Sequence, residues 1–432
     1  MRLGGLSPVA RTLAGLKAQQ AAMRVLQVLD KGPAEGGVAV HVEALSDGLR
    51  RDGHDVQTLR LLPPAQVAPV LNGDRHRLAS GDGLVDGLRQ RAALAAILRD
   101  VQPQVIHVHG GFGRISPPLL AQLRASAPLV GTLHDIRPFC YAMTRRFGPT
   151  GQACTRRCGA GCYTSGCFRP TAPLALLAPL HFARRWGLDA EAHRQWRAFE
   201  RVIVPSDYLA ALAQQHGCAA GSLRVVPHGI VLSPLAASPQ AEEPPRIVFL
   251  GALVDYKGPG LLVDALALLR DLPWQAVLAG EGELAAPLAA SVAALGLVQR
   301  VELPGRLPSR EAVQQLLLSA RMLVLPSTVP ESFGLAGVEA LAAGTPVVSF
   351  GLGGVMQWLR PGHNGVVAAT CSAEALADAM RPLLLDAALA ARLGAAGRAD
   401  VTLHFDPAQA LERTWRVYAE ATATRGAACT SP

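Results

Sequence analysis

The sequence predicts an α/β protein of two domains, each built on a doubly wound parallel sheet. Three observations carry that prediction. Short Val/Ile/Leu runs of strand length recur along the chain, and several end in a glycine-containing turn that leads into a helix-length stretch, the pattern of βαβ units. At 432 residues the chain exceeds what one hydrophobic core usually supports. Between two such series lies Ser233–Pro245, rich in Pro and Ala and without periodicity, which reads as a linker.

Composition narrows the function classes. Half of the residues are hydrophobic, yet no uninterrupted apolar segment is long enough to span a bilayer. The expected location is the cytoplasm, with at most peripheral contact at the inner face of a membrane. The net charge of +8 favours anionic partners. Without an arginine-rich tail or a nucleic-acid motif, nucleotide diphosphates, lipid phosphates or an anionic membrane surface fit that charge better than nucleic acid does.

In chain order, residues 1–22 carry Arg2, Arg11 and Lys17, no acid, and no apolar core of a secretory signal. They read as an extension outside the fold, with a functional start at Met23. The first domain is placed at residues 23–232. It opens with a strand from Met23 to Leu29, followed by Gly36-Gly37, a helix to about Arg51 and a second strand from Val56 to Leu61. Glycines at such a turn let a ligand approach the backbone, although this is not the spacing of a dinucleotide site. Strands Val105–His109 and Leu129–Leu133 end in His109 and in His134-Asp135. Ligand crevices of open α/β sheets lie at the carboxyl ends of strands, so His109 and His134 face the expected crevice, whereas His107 reads as a packing residue.

Residues 137–169 form a basic, glycine-rich loop containing Cys140, Cys154, Cys158, Cys162 and Cys167. Such a loop has little apolar material to order it. Four thiolates, Cys140, Cys154, Cys158 and Cys162 with Cys167 as the alternate, suit a structural zinc; free thiols and an iron–sulfur site rank behind. A helix over Arg184–Glu200 and a strand Val202–Ser206, with Ser206 as a helix cap, complete the domain up to Pro227-His228-Gly229.

The second domain is placed at residues 246–405, with a final helix and tail at 406–432. The helix is expected from Pro407 to about Thr422, presenting Leu411, Trp415 and Tyr418 on one face, and the tail after Ala423 reads as disordered. Lys257 follows strand Ile247–Leu250 in a loop before a helix, where an ammonium can neutralise a leaving diphosphate. Strand Met322–Leu325 leads through Glu331 into a helix that contains Glu339 and stops at Gly344, before strand Pro346–Ser349. Ser332, Phe333, Gly334 and Leu335 offer unpaired amides at that helix start, a favoured seat for phosphate. One anion seat flanked by two carboxylates suits a nucleotide sugar, with the amides taking the diphosphate and the carboxylates gripping sugar and ribose hydroxyls.

Glu331-Ser-Phe-Gly-Leu followed by Glu339-Ala-Leu-Ala-Ala-Gly-Thr-Pro-Val-Val resembles the paired-glutamate motif of family-4 retaining glycosyltransferases of the GT-B fold, two Rossmann-like domains facing a cleft. The resemblance covers about residues 24–420, densely in the second domain and thinly in the first. It implies that Glu331 contacts the donor sugar, Glu339 the ribose and Lys257 the diphosphate. It also implies that His134 lies beside the sugar and that the Gly37 loop lies near the donor phosphates and acceptor. The family pattern Gly-Arg-Leu-Val-x-x-Lys-Gly has Ala252 here in place of its arginine. Arg306 is the candidate to compensate, or to lie near the base. His228 and Val231 depart from the usual Pro-Asn-Gly-Val-Asp, and Gln357 stands where an acid is common.

The implied activity is retaining, hexosyltransferase-like transfer (EC 2.4) from an NDP-sugar to a glycan or lipid-linked acceptor in cell-envelope polysaccharide or glycolipid synthesis. With no Asp-x-Asp in the chain, no divalent ion is expected at the diphosphate. A GT-B sugar-nucleotide epimerase, and a non-catalytic nucleotide-sugar-binding subunit of an envelope assembly, are the alternatives.

Overall fold

The computed structural model describes residues 22–29, 36–62, 76–79, 84–110, 115–140, 198–232 and 243–429, with positions 154, 156, 161, 162, 167, 183 and 187. Two parallel sheets organise the chain. The first contains β1 (Arg24–Leu29), β2 (Asp55–Leu62), β3 (His76–Ala79), β4 (Val105–His109), β5 (Leu129–Thr132), β6 (Arg201–Val204) and β7 (Leu223–Val225). Their order is β3-β2-β1-β4-β5-β6-β7. The second contains β8 (Arg246–Leu250), β9 (Gln275–Ala279), β10 (Val301–Gly305), β11 (Met322–Leu325), β12 (Val347–Ser349) and β13 (Gly365–Val367), in the order β10-β9-β8-β11-β12-β13. This is the expected pair of doubly wound domains of the GT-B fold.

Topology places the functional loops. Strand order reverses beside β1 in the first sheet and beside β8 in the second, and such switch points open a crevice at the carboxyl ends of the strands. The loop after β8, carrying Lys257, and the loop after β11, carrying Glu331, lie on the two sides of the second switch point because β8 and β11 are paired. In the first sheet, β4 ends at His109 and β5 runs into His134, with Gly110 N donating to Thr132 O at 3.1 Å.

Each sheet has its own core. Leu26, Val28, Ile106, Leu129 and Val202 anchor the first, and Ile247, Phe249, Leu262, Leu266 and Met380 the second. Strands buried on both faces read as continuous apolar runs, which is why they were legible in the sequence. The helix Pro407–Cys429 then packs Val417, Tyr418 and Ala421 against Val25, Val105, Val130 and Ile203 of the first sheet. Glu420 on that helix accepts from Arg201 at 2.9 Å and Arg224 at 2.6 Å.

Three details differ from the sequence expectation. The last helix continues through Cys429 where a disordered tail was expected, because Ala-rich residues 419–428 propagate a helix once its apolar face is docked. The first helix begins at Gly36, so the two glycines expected to precede it form its first turn. The strand β3 was not anticipated: four residues including Arg77, at a sheet edge, show no period. The 1–22 extension (all but its last residue), residues 233–242 of the linker and most of the Arg184–Glu200 segment lie outside the described residues.

Beneath the second domain's cleft, Trp358 lies against Gly337 on the helix Leu335–Ala343, and its Nε1 donates to Phe333 O at 2.6 Å. A Cβ on Gly337 would sit 2.1 Å from the Trp358 ring. Gly337→Ala is therefore expected to destabilise the protein by about 1–3 kcal/mol in denaturant titration, as overpacked core sites do. Unchanged stability would show that the indole is not wedged there.

Candidate active site

The helix Leu335–Ala343 begins without a side-chain cap. Its N-cap is Gly334, in the left-handed region at φ 80°, ψ 56°. The helix start borders a cavity of about 370 Å³ lined by Lys257, Glu331, Gly334 and Leu335 from the second domain and His134 from the first. Orphan amides and the positive end of the helix dipole make that cavity wall an anion seat.

Lys257 Nζ contacts Glu331 Oε1 at 2.5 Å, and Ser327 Oγ donates to the same carboxylate oxygen. Both charged side chains are largely enclosed, with 26% and 12% exposure. A pair this sheltered holds its geometry better than a surface ion pair. Lys257 is presented by a short 3-10 turn, Asp255–Lys257, whose amide closes on Val254 O at 3.1 Å. Ala252 also lines the cavity, so the position where the resemblance expects an arginine contributes only a methyl group.

The loop bearing Glu331 is clamped from behind. Glu331 N donates to Leu352 O at 3.2 Å and Gly354 N to Glu331 O at 2.7 Å. Gly353 lies at φ 72°, and a Cβ on Gly354 would fall 2.1 Å from Ser332 O, so only glycine lets these backbones approach. From the first domain, Ser206 Oγ accepts from Leu209 N at 3.3 Å, as a helix cap should, and also donates to Ser332 O at 2.6 Å. Gln357 Oε1 accepts from Asp207 N at 3.0 Å. The glutamine found in place of an acid thus serves as a neutral acceptor at the start of the other domain's helix Asp207–Gln215.

Glu339 lies a turn further along, in a neighbouring cavity of about 260 Å³ shared with Arg310, His41 and His228. Arg310 Nη2 is 3.9 Å from its carboxylate. Burial raises the Glu339 pKa, and the arginine opposes that shift.

Five histidines gather where the domains meet. His228 Nδ1 is 3.1 Å from His41 Nδ1, and its ring lies parallel to His134 at 5.7 Å and edge-on to Phe333 at 5.2 Å. His109 stacks on His134 at 5.4 Å and lies tilted against His107 at 3.9 Å. Burial drives the pKa of His41 down to about 4. The other four also lie well below 6.5, through burial first and then through charge repulsion from neighbouring rings. At neutral pH the cluster is uncharged.

Residues 235–400 match the family described as "Glycosyl transferases group 1", and residues 35–233 match "Glycosyltransferase Family 4". The chain belongs to the group 1 glycosyltransferases. This glycosyltransferase is 27% identical to a phosphatidyl-myo-inositol mannosyltransferase of Mycobacterium leprae over 90% of its own chain and 94% of the relative. It is 32% identical to a D-inositol 3-phosphate glycosyltransferase of Xylanimonas cellulosilytica over 53% and 60%. In fold it is similar to a sucrose-phosphate synthase of Thermosynechococcus elongatus (TM-score 0.71, 22% identity, 93% and 100% coverage). The Anabaena protein HepE, solved in complex with UDP and glucose, is similar at TM-score 0.67 (20% identity, 92% and 99% coverage).

Of the residues expected at the glycosyltransferase's site, the structure brings Lys257, Glu331, Ser332, Phe333, Gly334, Leu335 and His134 to one cavity and Glu339 to the next. Gly37 lies in the first turn of the helix Gly36–Arg51. Arg306, exposed beyond β10, lines neither cavity; the arginine beside Glu339 is Arg310, whose placement at the first turn after the Ser309 cap was a legible but unused signal. His41 was also missed, although a helix opening at the switch point had to direct some side chain into the cleft. Cys154 and Cys162 are free thiols, Cys140 is buried and Cys167 half-buried, and Cys158 lies outside the described residues. Among the described residues no three His, Cys, Asp or Glu side chains are arranged to hold a metal ion, and no helix is long and apolar enough to cross a membrane.

The histidine cluster makes the glycosyltransferase's stability pH-dependent. Unfolded histidines take up protons as pH falls through about 6.5, whereas folded His41 resists until about 4. The unfolded state thus binds more protons in that window, and stability falls with falling pH. Each such ring costs about 1.4 kcal/mol per pH unit below 6.5. Unfolding midpoints should drop between pH 7.5 and 5, and less steeply in His41→Gln; a flat profile would contradict neutral burial of the cluster.

Proposed function

We propose that this glycosyltransferase moves a sugar from a nucleoside-diphosphate sugar to an acceptor hydroxyl with retention of configuration. The observation that carries this reading is the Lys257–Glu331 pair set against an uncapped helix start, with His134 facing it from the other domain. The diphosphate would take the amides of the first helical turn and the Lys257 ammonium, which together meet the negative charge released as the anomeric C–O bond breaks. Glu331, oriented by Ser327 and the backbone clamp, would accept hydrogen bonds from hydroxyls of the transferred sugar. Glu339, in the adjoining cavity beside Arg310, would take the ribose diol. His134 would lie against the sugar.

In this reading the acceptor approaches on the face from which the diphosphate departs. The acceptor oxygen forms the new bond to the anomeric carbon, and its proton passes to a leaving phosphate oxygen. The UDP complexes of the structurally similar Anabaena protein support a nucleotide sugar as donor, and the phosphatidyl-myo-inositol mannosyltransferase relative supports a lipid acceptor; a glycan or lipid-linked acceptor in envelope synthesis is the role proposed here.

The two carboxylates separate experimentally. Glu339→Gln is expected to weaken nucleotide affinity, whereas Glu331→Gln spares nucleotide affinity and impairs transfer. Calorimetric titration with nucleotide and a turnover assay on both variants decide the matter, and wild-type behaviour of both would end the assignment. Because Ala252 leaves Lys257 as the cation beside the seat, Lys257→Ala should lower turnover by about 10²–10³. Near-parental turnover would show that the leaving charge is met elsewhere.

A further inference from the structure

His134 is the end of a buried line of polar atoms that crosses the first domain. Gln27, in the middle of β1, is fully buried, so both ends of its amide need partners. Its Oε1 lies 2.6 Å from His109 Nε2 and its Nε2 lies 3.2 Å from Tyr418 Oη. Tyr418 Oη also lies 2.7 Å from His107 Nδ1, and His107 Nε2 lies 2.6 Å from Thr132 Oγ1. At the other end, His109 Nδ1 lies 3.1 Å from His134 Nε2.

The amide orientation fixes every proton in the line, because an amide oxygen only accepts and an amide nitrogen only donates. His109 must carry its proton on Nε2, facing Gln27 Oε1. As a neutral ring it then offers a lone pair on Nδ1, so the proton between the two rings belongs to His134 Nε2. On the far side, Tyr418 accepts from Gln27 and gives its own proton to His107 Nδ1, and His107 Nε2–H donates to Thr132. All five bonds run in one sense, from His134 to Thr132, which is the arrangement in which each bond polarises the next. Turning the Gln27 amide over would reverse all five and move the His134 proton to Nδ1.

We infer that Gln27 and Tyr418 are positioning residues that hold His134 in its Nε2–H tautomer, so that Nδ1 meets the donor sugar as a hydrogen-bond acceptor. The inference rests on the placement of His134 beside the sugar proposed above. His134 lines the cavity that holds Lys257 and Glu331, and with Nε2 bound to His109 the nitrogen left for a ligand is Nδ1. An acceptor there takes the proton of a sugar hydroxyl; the opposite tautomer would present an N–H to it. Tyr418 belongs to the helix that follows the second domain, so the proton position in the cleft depends on that helix being docked on the first sheet. Nothing in the local sequence around His134 reveals this, since its partners come from β1, β4 and residue 418.

The test is the tautomer itself. Two-bond ¹H–¹⁵N spectra of the full chain labelled with ¹⁵N-histidine, with His134→Ala to assign the His134 signals, report which nitrogen bears the proton. The parent should show the Nε2–H form as the major species. Tyr418→Phe frees the Gln27 amide and should bring the two forms toward equal populations. A parent His134 protonated on Nδ1, or in comparable mixture, overturns the inference, as does an unchanged tautomer in Tyr418→Phe whatever that variant's activity. If Tyr418→Phe does not fold, the parent spectrum decides alone. With UDP-glucose as probe donor, UDP release by His134→Ala as fast as by the parent would overturn the donor-site reading and leave the tautomer assignment standing.

Discussion

A helix start left open between two paired strands is the constraint on which this structure depends. The amides at Leu335 favour an anion, and among the described residues no side chain caps them. Gly334 provides the turn without a capping oxygen, and the nearest carboxylate, Glu331, is instead held by Lys257 and Ser327. The Gly353-Gly354 contact, the Trp358 bond to Phe333 O and the packing of Trp358 on Gly337 all fix that open end from behind.

The second domain alone does not complete the cavity. His134 enters from the first sheet, and Ser206, Asp207 and His228 hold the two halves together through Ser332, Gln357 and Phe333. Two of these contacts are polar and one is a ring contact, and Ile230 joins them by packing into the second domain's apolar cluster. The final helix ties the halves more firmly, burying Tyr418 and Val417 in the first domain while Glu420 meets Arg201 and Arg224.

Much of this was legible in the sequence, for a physical reason. Strands β1, β4, β8 and β11 are buried on both faces and so appear as apolar runs, and the spacing of Glu331 and Glu339 about a helix start is a local property. What could not be read is pairing across distance. Lys257 and Glu331 are separated by 74 positions in sequence, and the five histidines come from segments around His41, His107, His134 and His228, so no window of sequence shows either assembly. His107, taken as a packing residue, is buried as expected but is also a link in a hydrogen-bonded line. Arg306 was expected to compensate for Ala252 or to lie near the base; it is exposed beyond β10, and the first turn of the helix Arg310–Leu318 is what faces Glu339.

The central claim is that the helix start and Lys257 form a diphosphate seat. Its most direct measurement is a calorimetric comparison of nucleoside diphosphates with the corresponding nucleosides. Two charge-assisted hydrogen bonds are together worth roughly 3 kcal/mol or more. At least one nucleoside diphosphate should therefore bind about 10² or more tighter than its nucleoside. Equal affinities for every such pair would contradict the account, because they would leave the open helix start without the anion that explains it.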